Sequence, residues 1–599
     1  MASLRIHPAI GVARIGNSDQ FFIGPELPGV PGNWDGAAKQ FLPFKDAQGR
    51  VLRQAARFRI FRIDESGNAV KEVTLADGVR IEWRVHVANR KASFFTFDGQ
   101  SGAESDPPYA QRAQRPADAI EKPEGGRGAP ERKNRRNAGV VDRRSLEIDP
   151  GPVAVSAPGR VTLIDNQTPA PIKQLGEARM EDSGRLLFLG GSGATAFTGP
   201  NRPPLDEYAS NDGWFDDMSD GSIEATVTFA DGHIESAVPA WVIVGPPKFA
   251  PGIRNVVPLY DTLWDLAVRS RLSCGAGSDP ILNDLLAQQR AWQDATQDFA
   301  PTYTPSFLNH VYPILSRALA SRDVHEPPPS HQDYHGTLAD WPRLATRAAA
   351  QIRRDIFRWI RDPNSKTLDW KGMPRGLGDD YTSLDNWESD PSSPPPTPRS
   401  LLSLTPVQYA LLKAWAEGRF TEDWPFGDVR YAPIPDVSGA ITPHGLDRAA
   451  LENCVGGPFY PGIEVSWLVR LPELYAAAFR LRNADFDFGP LHFGAGFFSQ
   501  QMALPWQADF YDCHKEPHQP PGADETINYM WWTAQRPDDI RSDANGSYRR
   551  WVQPFDASKD TDIADPDDVQ NLARFEQMRT RWSELSFVVL DGDDFIEQK

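Results

Sequence analysis

The sequence predicts an α+β protein, with a β-rich, sandwich-like N-terminal half followed by a mainly helical C-terminal half. Before about residue 250, short runs alternate apolar and polar side chains as strands do, and after Pro251 apolar residues recur at helical spacing. The chain has 599 residues, 40% of them hydrophobic and 24% charged, which suits a globular protein of more than one domain. We therefore predict a β-rich domain at residues 1–250 and a mainly α-helical domain at residues 251–599.

Strand patterns occupy the first half in two blocks separated by a polar interval. Turn sequences such as ESGN and ADG join the runs of the first block, as expected for neighbouring antiparallel strands. A pair of packed sheets is the natural architecture for so many short strands. The clearest strand sequences are ARFRIFRI, VRIEWRVHVAN, GRVTLID, GRLLFLGG, IEATVTFADG and PAWVIVG.

Two segments of the first half each allow two interpretations. Residues 99–144 are rich in Pro, Gly and Arg, and we favour a solvated loop over a positive rim that attracts anionic partners. A group of aspartates before Gly221 could bind calcium, but the spacing is not that of an EF-hand and its terminal bidentate Glu is missing. We therefore favour a turn for these residues, which are Asp212, Asp216, Asp217 and Asp220.

Helical periodicity dominates after Pro251, with interruptions by proline-rich loops. The loops EPPPSHQDYHG and ESDPSSPPPTPRS contain too much proline to pack as helices. The helical sequences are VVPLYDTLWDLAVRSRL, PILNDLLAQQRAWQDA, SFLNHVYPILSRALASR, TRAAAQIRRDIFRWIRD and TPVQYALLKAWAEGRF.

Composition excludes several classes of function. A net charge of −18 and a pI near 5.1 argue against nucleic-acid binding, because a phosphate backbone would be repelled on average. Three cysteines cannot build a disulfide framework. No stretch has the roughly 18 consecutive apolar residues of a membrane span, so we expect no membrane contact. The N-terminal residues lack the apolar core of a secretory signal, so we expect synthesis in the cytoplasm, with later export left open.

One cysteine and one tryptophan stand in settings that differ from the rest of the chain. A short helical pattern opens at Thr442-Pro443 and ends at Gly456-Gly457, which predicts Cys454 in its last turn. Trp506 follows Pro505, which predicts a short constrained run rather than a helix. Several titratable residues follow the tryptophan at once, namely Asp509, Asp512, Cys513 and His514. From these residues alone, packing is the commoner role for a buried tryptophan.

The strings ENCVGGPFYPGIE and ALPWQADFYDC resemble the paired signatures of the lysine-epsilon-oxidase and glycine-oxidase family, whose members are quinoproteins. Further strings that resemble the same family, in the expected order from Ile6 to Asp539, are IHPAIGVARIGNS, FFIGPELPG, NDGWFDDMSDG, PAWVIVGPPKFAPGI and WWTAQRPDD.

The resemblance implies a protein-derived cofactor, cysteine tryptophylquinone, in which Cys454 is thioether-linked to the oxygenated indole of Trp506. Such a quinone would supply the electrophilic carbonyl for oxidative deamination of a primary amine or amino acid, with dioxygen as oxidant and with ammonia and hydrogen peroxide as products. The family also implies a separate flavoprotein that matures the cofactor, and a homo-oligomer.

One departure from the family pattern concerns the catalytic base. The family has an acid about one helical turn before the cysteine, and this chain has Ala450 there. Asp447 lies seven residues before Cys454, about 10 Å along a helix axis, which is too far for contact with the sulfur. Asp509 is therefore the candidate base, with Glu464 as a further acid that could replace the missing one.

An amino-acid substrate would need a cation for its carboxylate, and the candidates are Arg470, Arg536 and His492. We predict no metal site, because the histidines near the cofactor segment have no defensible ligand spacing. Ala450 also motivates an alternative function, a non-catalytic relative with an unmade cofactor that binds ligands or partners.

Overall fold

The structure is a computed structural model of the chain. It describes residues 2–94, 136–137, 139–163, 172–205, 208–275, 277, 279–327, 337–379, 400–425, 440–457, 462–488, 491–514, 516–519, 526–541, 547–551, 569–591 and 594–599. Most of the interval at 99–144 and most of both proline-rich loops, for which the sequence predicted loops, lie outside the described residues.

The strands belong mostly to the first half of the chain. They are β1 (Ser3–His7), β2 (Ile10–Arg14), β3 (Phe21–Ile23), β4 (Trp34–Asp35), β5 (Gln40–Phe41), β6 (Arg53–Ile63), β7 (Ala69–Val73), β8 (Arg80–Ala88), β9 (Val153–Val155), β10 (Gly159–Leu163), β11 (Gly176–Met180), β12 (Leu186–Gly190), β13 (Thr195–Phe197), β14 (Trp214–Asp216), β15 (Asp220–Thr228), β16 (Ile234–Ser236), β17 (Ala240–Gly245), β18 (Trp292–Gln293), β19 (Asp298–Phe299), β20 (Tyr475–Ala477), β21 (Arg480–Leu481), β22 (Phe486–Phe488), β23 (Leu491–Phe493), β24 (Glu516–His518), β25 (Ile527–Tyr529), β26 (Asp539–Arg541), β27 (Tyr548–Arg550), β28 (Phe587–Asp591) and β29 (Asp594–Gln598).

Thirteen strands form one sheet in the order β10-β11-β12-β6-β2-β17-β15-β8-β9, with β1, β3 and β7 paired to β6 and β16 paired to β15. Its longest ladder is antiparallel and runs from Asp220 opposite Ala88 to Thr228 opposite Arg80. The end strands β9 and β10 approach each other, so the sheet is nearly closed. The β-rich first half is confirmed, whereas two packed sheets were predicted. The difference follows from strand twist, which accumulates over many strands and curls a large sheet.

The helices are α1 (Leu259–Arg269), α2 (Pro280–Ala291), α3 (Tyr312–Ser321), α4 (Trp341–Leu344), α5 (Ala350–Phe357), α6 (Pro406–Ala416), α7 (Pro443–Leu451), α8 (Trp506–Asp512) and α9 (Val569–Arg581), and a π-helical turn at Phe307–Val311 precedes α3. Helices make up only 24% of the chain, so the prediction of a mainly helical second half was too strong. Six two-stranded ladders, from β18-β19 to β28-β29, alternate with these helices. In the ladder β22-β23, Phe486 lies opposite Phe493.

Helix starts follow the capping rules closely. Three helices begin with proline at the first position, where the missing N–H costs no intrahelical bond. The preceding residue caps each of them: Asp279 accepts from the Ile281 N–H at 2.9 Å, Thr405 from the Gln408 N–H at 3.1 Å and Thr442 from the Gly445 N–H at 3.1 Å. Short local signals therefore fix where these helices begin.

Large apolar clusters fill the interior. The first lies on the sheet and extends to Trp506 and α9. The second packs α1, α6 and α7 against Ile10, Val12 and Trp241, and it contains Cys454. The third joins α3, α4 and α6. Among the described residues, no helix has the length and apolar character needed to cross a membrane.

The four aspartates near Gly221 are bound by protein groups. Asp212 accepts from the Asn137 N–H at 2.6 Å, and Asp217 accepts from the N–H groups of Ser192 and Ala194. Asp220 accepts from the Trp241 indole at 3.0 Å and from the Ser499 N–H at 2.8 Å. These carboxylates anchor neighbouring chain segments; Asp216 ends β14 and Asp220 begins β15, so two of the four lie in strands rather than in a turn.

A buried network joins the N-terminal strands to α7. Asp447 accepts from the Ala9 N–H at 2.5 Å and lies 3.0 Å from His7 Nδ1 and 3.2 Å from His444 Nδ1. Arg480 donates to His7 Nε2 at 3.2 Å, so His7 carries its proton on Nδ1 and donates it to Asp447. The ring nitrogens and the carboxylate lie close enough to bind a metal ion, but the protonated Nδ1 of this tautomer cannot be a ligand.

We predict that this network makes stability fall as the pH is lowered from 6.5 to 4. Burial lowers the pKa of His7 to about 4, although Asp447 opposes the shift. Over this window the unfolded chain binds a proton that the folded chain does not, which costs about 3 kcal/mol of unfolding free energy. His7→Gln should flatten this slope in denaturant titrations at a series of pH values. The exposed control His233→Gln should keep it, and identical slopes for the His7 variant and the parent would contradict the assignment.

Candidate active site

The cysteine segment leaves α7 earlier than its sequence predicts. The helix ends at Leu451, and Cys454 lies in the turn that follows, where its N–H donates to the Leu451 carbonyl at 3.2 Å. The Asn453 side chain donates to the Ala449 carbonyl at 3.1 Å, which competes with further helical turns. The thiol is therefore not restricted to a helix face.

The Cys454 thiol is fully buried and donates a hydrogen bond to the Glu464 carboxylate. Burial raises the pKa of this thiol well above its usual value, and the negative charge of Glu464 raises it further. Glu464 is also buried, and it accepts from the Val455 N–H at 2.5 Å and from Gln535 Nε2 at 3.4 Å. A base thus stands in contact with the sulfur.

Two cations lie beside this pair. Arg14 forms an ion pair with Glu464 and donates to the carbonyls of Pro246 and Asn453, at 3.0 Å each. Lys248 reaches the Asn453 carbonyl at 3.4 Å, and its burial lowers the pKa of the amine to about 7. Lys248 and Arg14 also line a cavity of about 30 Å³, large enough for a water molecule. Two basic side chains therefore lie beside the thiol and its base.

Position 450, where the family pattern has an acid, is occupied by an alanine in an apolar environment. Ala450 is buried in the second apolar cluster. The neighbouring acids of α7 have other partners: Asp447 binds His7, while Glu452 pairs with Arg448 and accepts from the Gly29 N–H. Of the acids proposed to replace the missing one, Glu464 contacts the thiol.

Trp506 is the first residue of a helix, whereas the sequence predicted a constrained non-helical run. Pro505 precedes α8 and has no N–H to leave unsatisfied. The Trp506 N–H, which has no intrahelical acceptor, donates to Asp216 Oδ2 at 3.0 Å. Asp216 also accepts from Lys91 Nζ at 2.6 Å, and both side chains are fully buried. A buried ion pair therefore fixes the start of the tryptophan helix.

The indole of Trp506 is enclosed by aromatic rings. Phe510 and Trp582 pack edge-on against it, each with ring centroids 5.6 Å away. The indole nitrogen is buried and has no hydrogen-bond partner among the described residues. Buried N–H groups are nearly always hydrogen-bonded, so a buried N–H without an acceptor usually marks a functional position or a missing acceptor.

Asp509 lies one helical turn after Trp506 and is also fully buried. Its Oδ1 accepts from the Cys513 thiol at 2.7 Å, and its Oδ2 has no partner among the described residues. Burial raises the pKa of Asp509 well above its usual value, opposed by the charge of Lys91. Burial therefore favours the protonated form of this carboxyl more than water does.

The three predicted substrate cations lie in different places. Arg470 pairs with Asp379 at 2.5 Å and lines a cavity of about 270 Å³ that also contacts Gly456 and Gly457. Arg536 donates to the carbonyls of Phe510 and Tyr511 and caps the end of α8. His492 is half-exposed on the β22-β23 hairpin beside two aspartates. Only Arg470 among them lines a cavity beside the cysteine segment.

Cys454 and Trp506 belong to different apolar clusters, although Val455 and Ile463 of the cysteine segment pack in the same cluster as Trp506. Their linkage stays a prediction. The side chains present suit it chemically: a buried thiol contacts a carboxylate base, and a buried indole lies one turn from a buried carboxyl that has an oxygen without a partner among the described residues. Sequence reasoning missed Arg14, Lys248 and Lys91, and it did not connect Asp216 with the tryptophan, because each lies far along the chain from the residues it contacts.

Comparisons with known proteins address the chain as a whole. A family model described as L-Lysine epsilon oxidase N-terminal matches residues 7–244, and the L-lysine epsilon oxidase C-terminal domain matches residues 385–532. The chain is 30% identical over 573 residues to L-lysine 6-oxidase of Marinomonas mediterranea, covering 85% of this chain and 71% of that protein.

Solved structures show the same fold. L-Lys epsilon-oxidase from Marinomonas mediterranea with L-Lys superposes with a TM-score of 0.72 at 25% identity, covering 100% of this chain and 95% of the other. A second structure of the L-Lys epsilon-oxidase from that organism gives a TM-score of 0.71 at 24% identity, with 100% and 94% covered.

We predict that Asp216→Ala strongly destabilises the protein. The change leaves Lys91 as a buried unpaired cation and removes the acceptor of the Trp506 N–H, which should cost about 3–5 kcal/mol of unfolding free energy. Urea denaturation followed by tryptophan fluorescence measures the loss. Asp231→Ala is the matched control, since that aspartate accepts a hydrogen bond within an exposed turn. Equal midpoints for the two variants would contradict the anchoring role of Asp216.

Proposed function

Because the chain belongs to the L-lysine epsilon-oxidase family, which makes it an amine-oxidising oxidoreductase of the amino-acid oxidase type, we propose that it deaminates a primary amine or amino acid with dioxygen. With water as co-reactant, the products are the corresponding carbonyl compound, ammonia and hydrogen peroxide. The observation that carries the proposal is the C-terminal family match, which spans both Cys454 and Trp506. The cofactor proposed for these two residues, cysteine tryptophylquinone, supplies an electrophilic carbonyl and an electron sink.

Glu464 is the base that we assign to the cysteine. Its carboxylate accepts the hydrogen bond of the Cys454 thiol, and it can take that proton when the sulfur bonds to the indole, a step that also removes a ring hydrogen and two electrons and therefore needs the maturing flavoprotein proposed below. Arg14 holds the carboxylate in place, and the charges of Arg14 and Lys248 oppose the rise in the thiol pKa that burial causes. In this proposal, Glu464 takes the place of the acid that is missing at position 450.

Asp509 is the acid-base group that we assign to the tryptophan end. Its free oxygen is buried one turn from Trp506, where it can hold or accept the α-proton of a bound amine. Since burial raises the pKa of Asp509, the ionised form becomes more populated as the pH rises. Activity that depends on this base should therefore increase with pH.

We propose that Arg470 binds the carboxylate of an amino-acid substrate. It lines the cavity of about 270 Å³ that reaches Gly456 and Gly457, directly after Cys454. The relatives named above act on L-lysine, which is therefore the first substrate to assay in a panel of amino acids and simple amines. We also propose a flavoprotein partner that matures the cofactor and a homo-oligomeric assembly.

We predict that peptides containing Cys454 and Trp506 are cross-linked, have lost hydrogens and have gained oxygen relative to their sequence. Mass spectrometry of protein matured with its natural partners, together with phenylhydrazine labelling, measures this directly. Cys454→Ala should abolish the cross-link and peroxide release. Cys274→Ala should retain both, because that thiol lies elsewhere, near Gln289. Unmodified peptides from matured protein would instead support the non-catalytic alternative, which the family comparisons do not favour.

We predict that Asp509→Asn lowers turnover by about 10²-fold to 10⁴-fold, the usual contribution of a general base. The asparagine keeps the shape of the side chain but cannot accept a proton. Peroxide release measured across a pH series tests this, since the variant should also lose the rise in activity with pH. Asp512→Asn on the same helix is the matched control. If both variants lose activity equally and keep the parental pH profile, Asp509 is not the base.

A further inference from the structure

A separate cavity of about 570 Å³ lies in the second half of the chain, bounded by α1, α2, α3, α6 and α7. Neither Cys454 nor Trp506 lines it. Its volume falls within the range of small-molecule sites. It is linked to the cysteine segment through α1, whose first N–H, at Leu259, donates to the Cys454 carbonyl at 3.0 Å. The cavity therefore lies outside the site described above but shares its supporting elements.

The cavity wall carries a buried arginine with unused hydrogen-bonding capacity. Arg317 is only 4% exposed, and one of its terminal nitrogens pairs with Asp261. Its Nε is buried without a partner among the described residues. Arg317 lines the cavity, and a guanidinium whose N–H groups are not all used by protein partners is a typical carboxylate-binding group. A second cation, Arg448, also lines the cavity.

An acid and three aromatic rings complete the wall. Asp284 Oδ2 accepts from His310 Nε2 at 2.6 Å, while the His310 Nδ1 accepts from the Ser306 N–H at 2.9 Å. The histidine is thus fixed as a donor, and it orients the Asp284 carboxylate. The rings are Tyr260, Trp264 and Tyr303, and the Trp264 indole is held by Gln288 at 2.9 Å. Aromatic faces beside a carboxylate attract an ammonium group.

We propose that this cavity binds a small ammonium carboxylate, either a free amino acid or its N-methylated form. Arg317 binds the carboxylate, and the ammonium lies between Asp284 and the aromatic rings. Both signs of charge on the wall favour a zwitterion over a simple amine or a simple acid. This goes beyond the proposed oxidation, because binding here requires no quinone.

Isothermal titration of the full-length protein with glycine betaine tests the proposal. Betaine carries both charges and no N–H, so it is not a substrate for deamination. We expect saturable binding, with affinities at least about tenfold weaker for choline, which lacks the carboxylate, and for 3,3-dimethylbutyrate, which lacks the positive charge. Glycine is titrated into the Cys454→Ala variant. Tighter binding of glycine than of betaine identifies a free amino acid as the ligand, and tighter binding of betaine identifies the N-methylated form.

Two variants locate the site. Arg317→Gln and Asp284→Asn should each weaken binding at least about tenfold. Asp284→Asn keeps the test valid if the arginine variant fails to fold, because the Asp284 side chain is partly exposed. Asp355→Asn on α5, outside the cavity, is the matched control and should bind as the parent does.

The proposal is overturned if neither betaine nor glycine binds, if choline or 3,3-dimethylbutyrate binds as tightly as betaine, or if the Asp355 variant weakens binding as much as the two cavity variants do. Peroxide release by the matured parent protein is measured separately. Binding without peroxide release contradicts the proposed oxidation alone, and peroxide release without binding contradicts this site alone.

Discussion

Buried carboxylates that accept N–H groups from distant parts of the chain are the interaction on which this structure depends. Asp216 holds the Trp506 N–H, Asp220 holds the Ser499 N–H, and Asp447 holds the Ala9 N–H. Each bond joins the large sheet or its leading strands to the segment between α7 and α8. Ionised groups of this kind are costly to bury unless every lone pair is satisfied, so the sheet and the second half must fold onto each other to keep them paired. The sheet thus determines where both predicted cofactor residues lie, although it contributes neither of them.

The same constraint gives the two ends of the site different electrostatics. At the cysteine, Arg14 pairs with the carboxylate that contacts the thiol, and the charges of Arg14 and Lys248 oppose the rise in the thiol pKa that burial causes. At the tryptophan, the charge of Lys91 is already matched by Asp216, and burial raises the pKa of Asp509 well above its usual value. One end can therefore remove a proton, and the other can hold one. The two ends differ because Glu464 is paired with Arg14, whereas Lys91, which lies near Asp509, is paired with Asp216 instead.

Local features of the fold were predictable from the sequence, and long-range ones were not. Thr442-Pro443 correctly predicted the start of α7, and apolar spacing correctly predicted helices in PILNDLLAQQRAWQDA and TPVQYALLKAWAEGRF, because both signals depend on neighbouring residues. The single nearly closed sheet was missed, since alternation along a strand does not reveal its partner. The tryptophan helix was missed because its first N–H is satisfied by Asp216, 290 residues away. Likewise, the Arg14 ion pair with Glu464 spans 450 residues and leaves no local pattern. The candidate residues could be named from their motifs, but their charges and partners depend on tertiary structure.

The alanine at position 450 illustrates how a departure from a family pattern depends on backbone geometry. An acid one turn before a cysteine reaches the sulfur only if the helix continues to that cysteine. Here α7 stops at Leu451, and the Asn453 side chain and the Arg14 contact with the Asn453 carbonyl stabilise the turn that follows. Glu464 follows the cysteine by ten residues, and its carboxylate reaches both the Val455 N–H and the thiol. An acid after the cysteine can therefore take the place of one before it, and a small apolar residue at 450 lets the helix pack closely in the second apolar cluster.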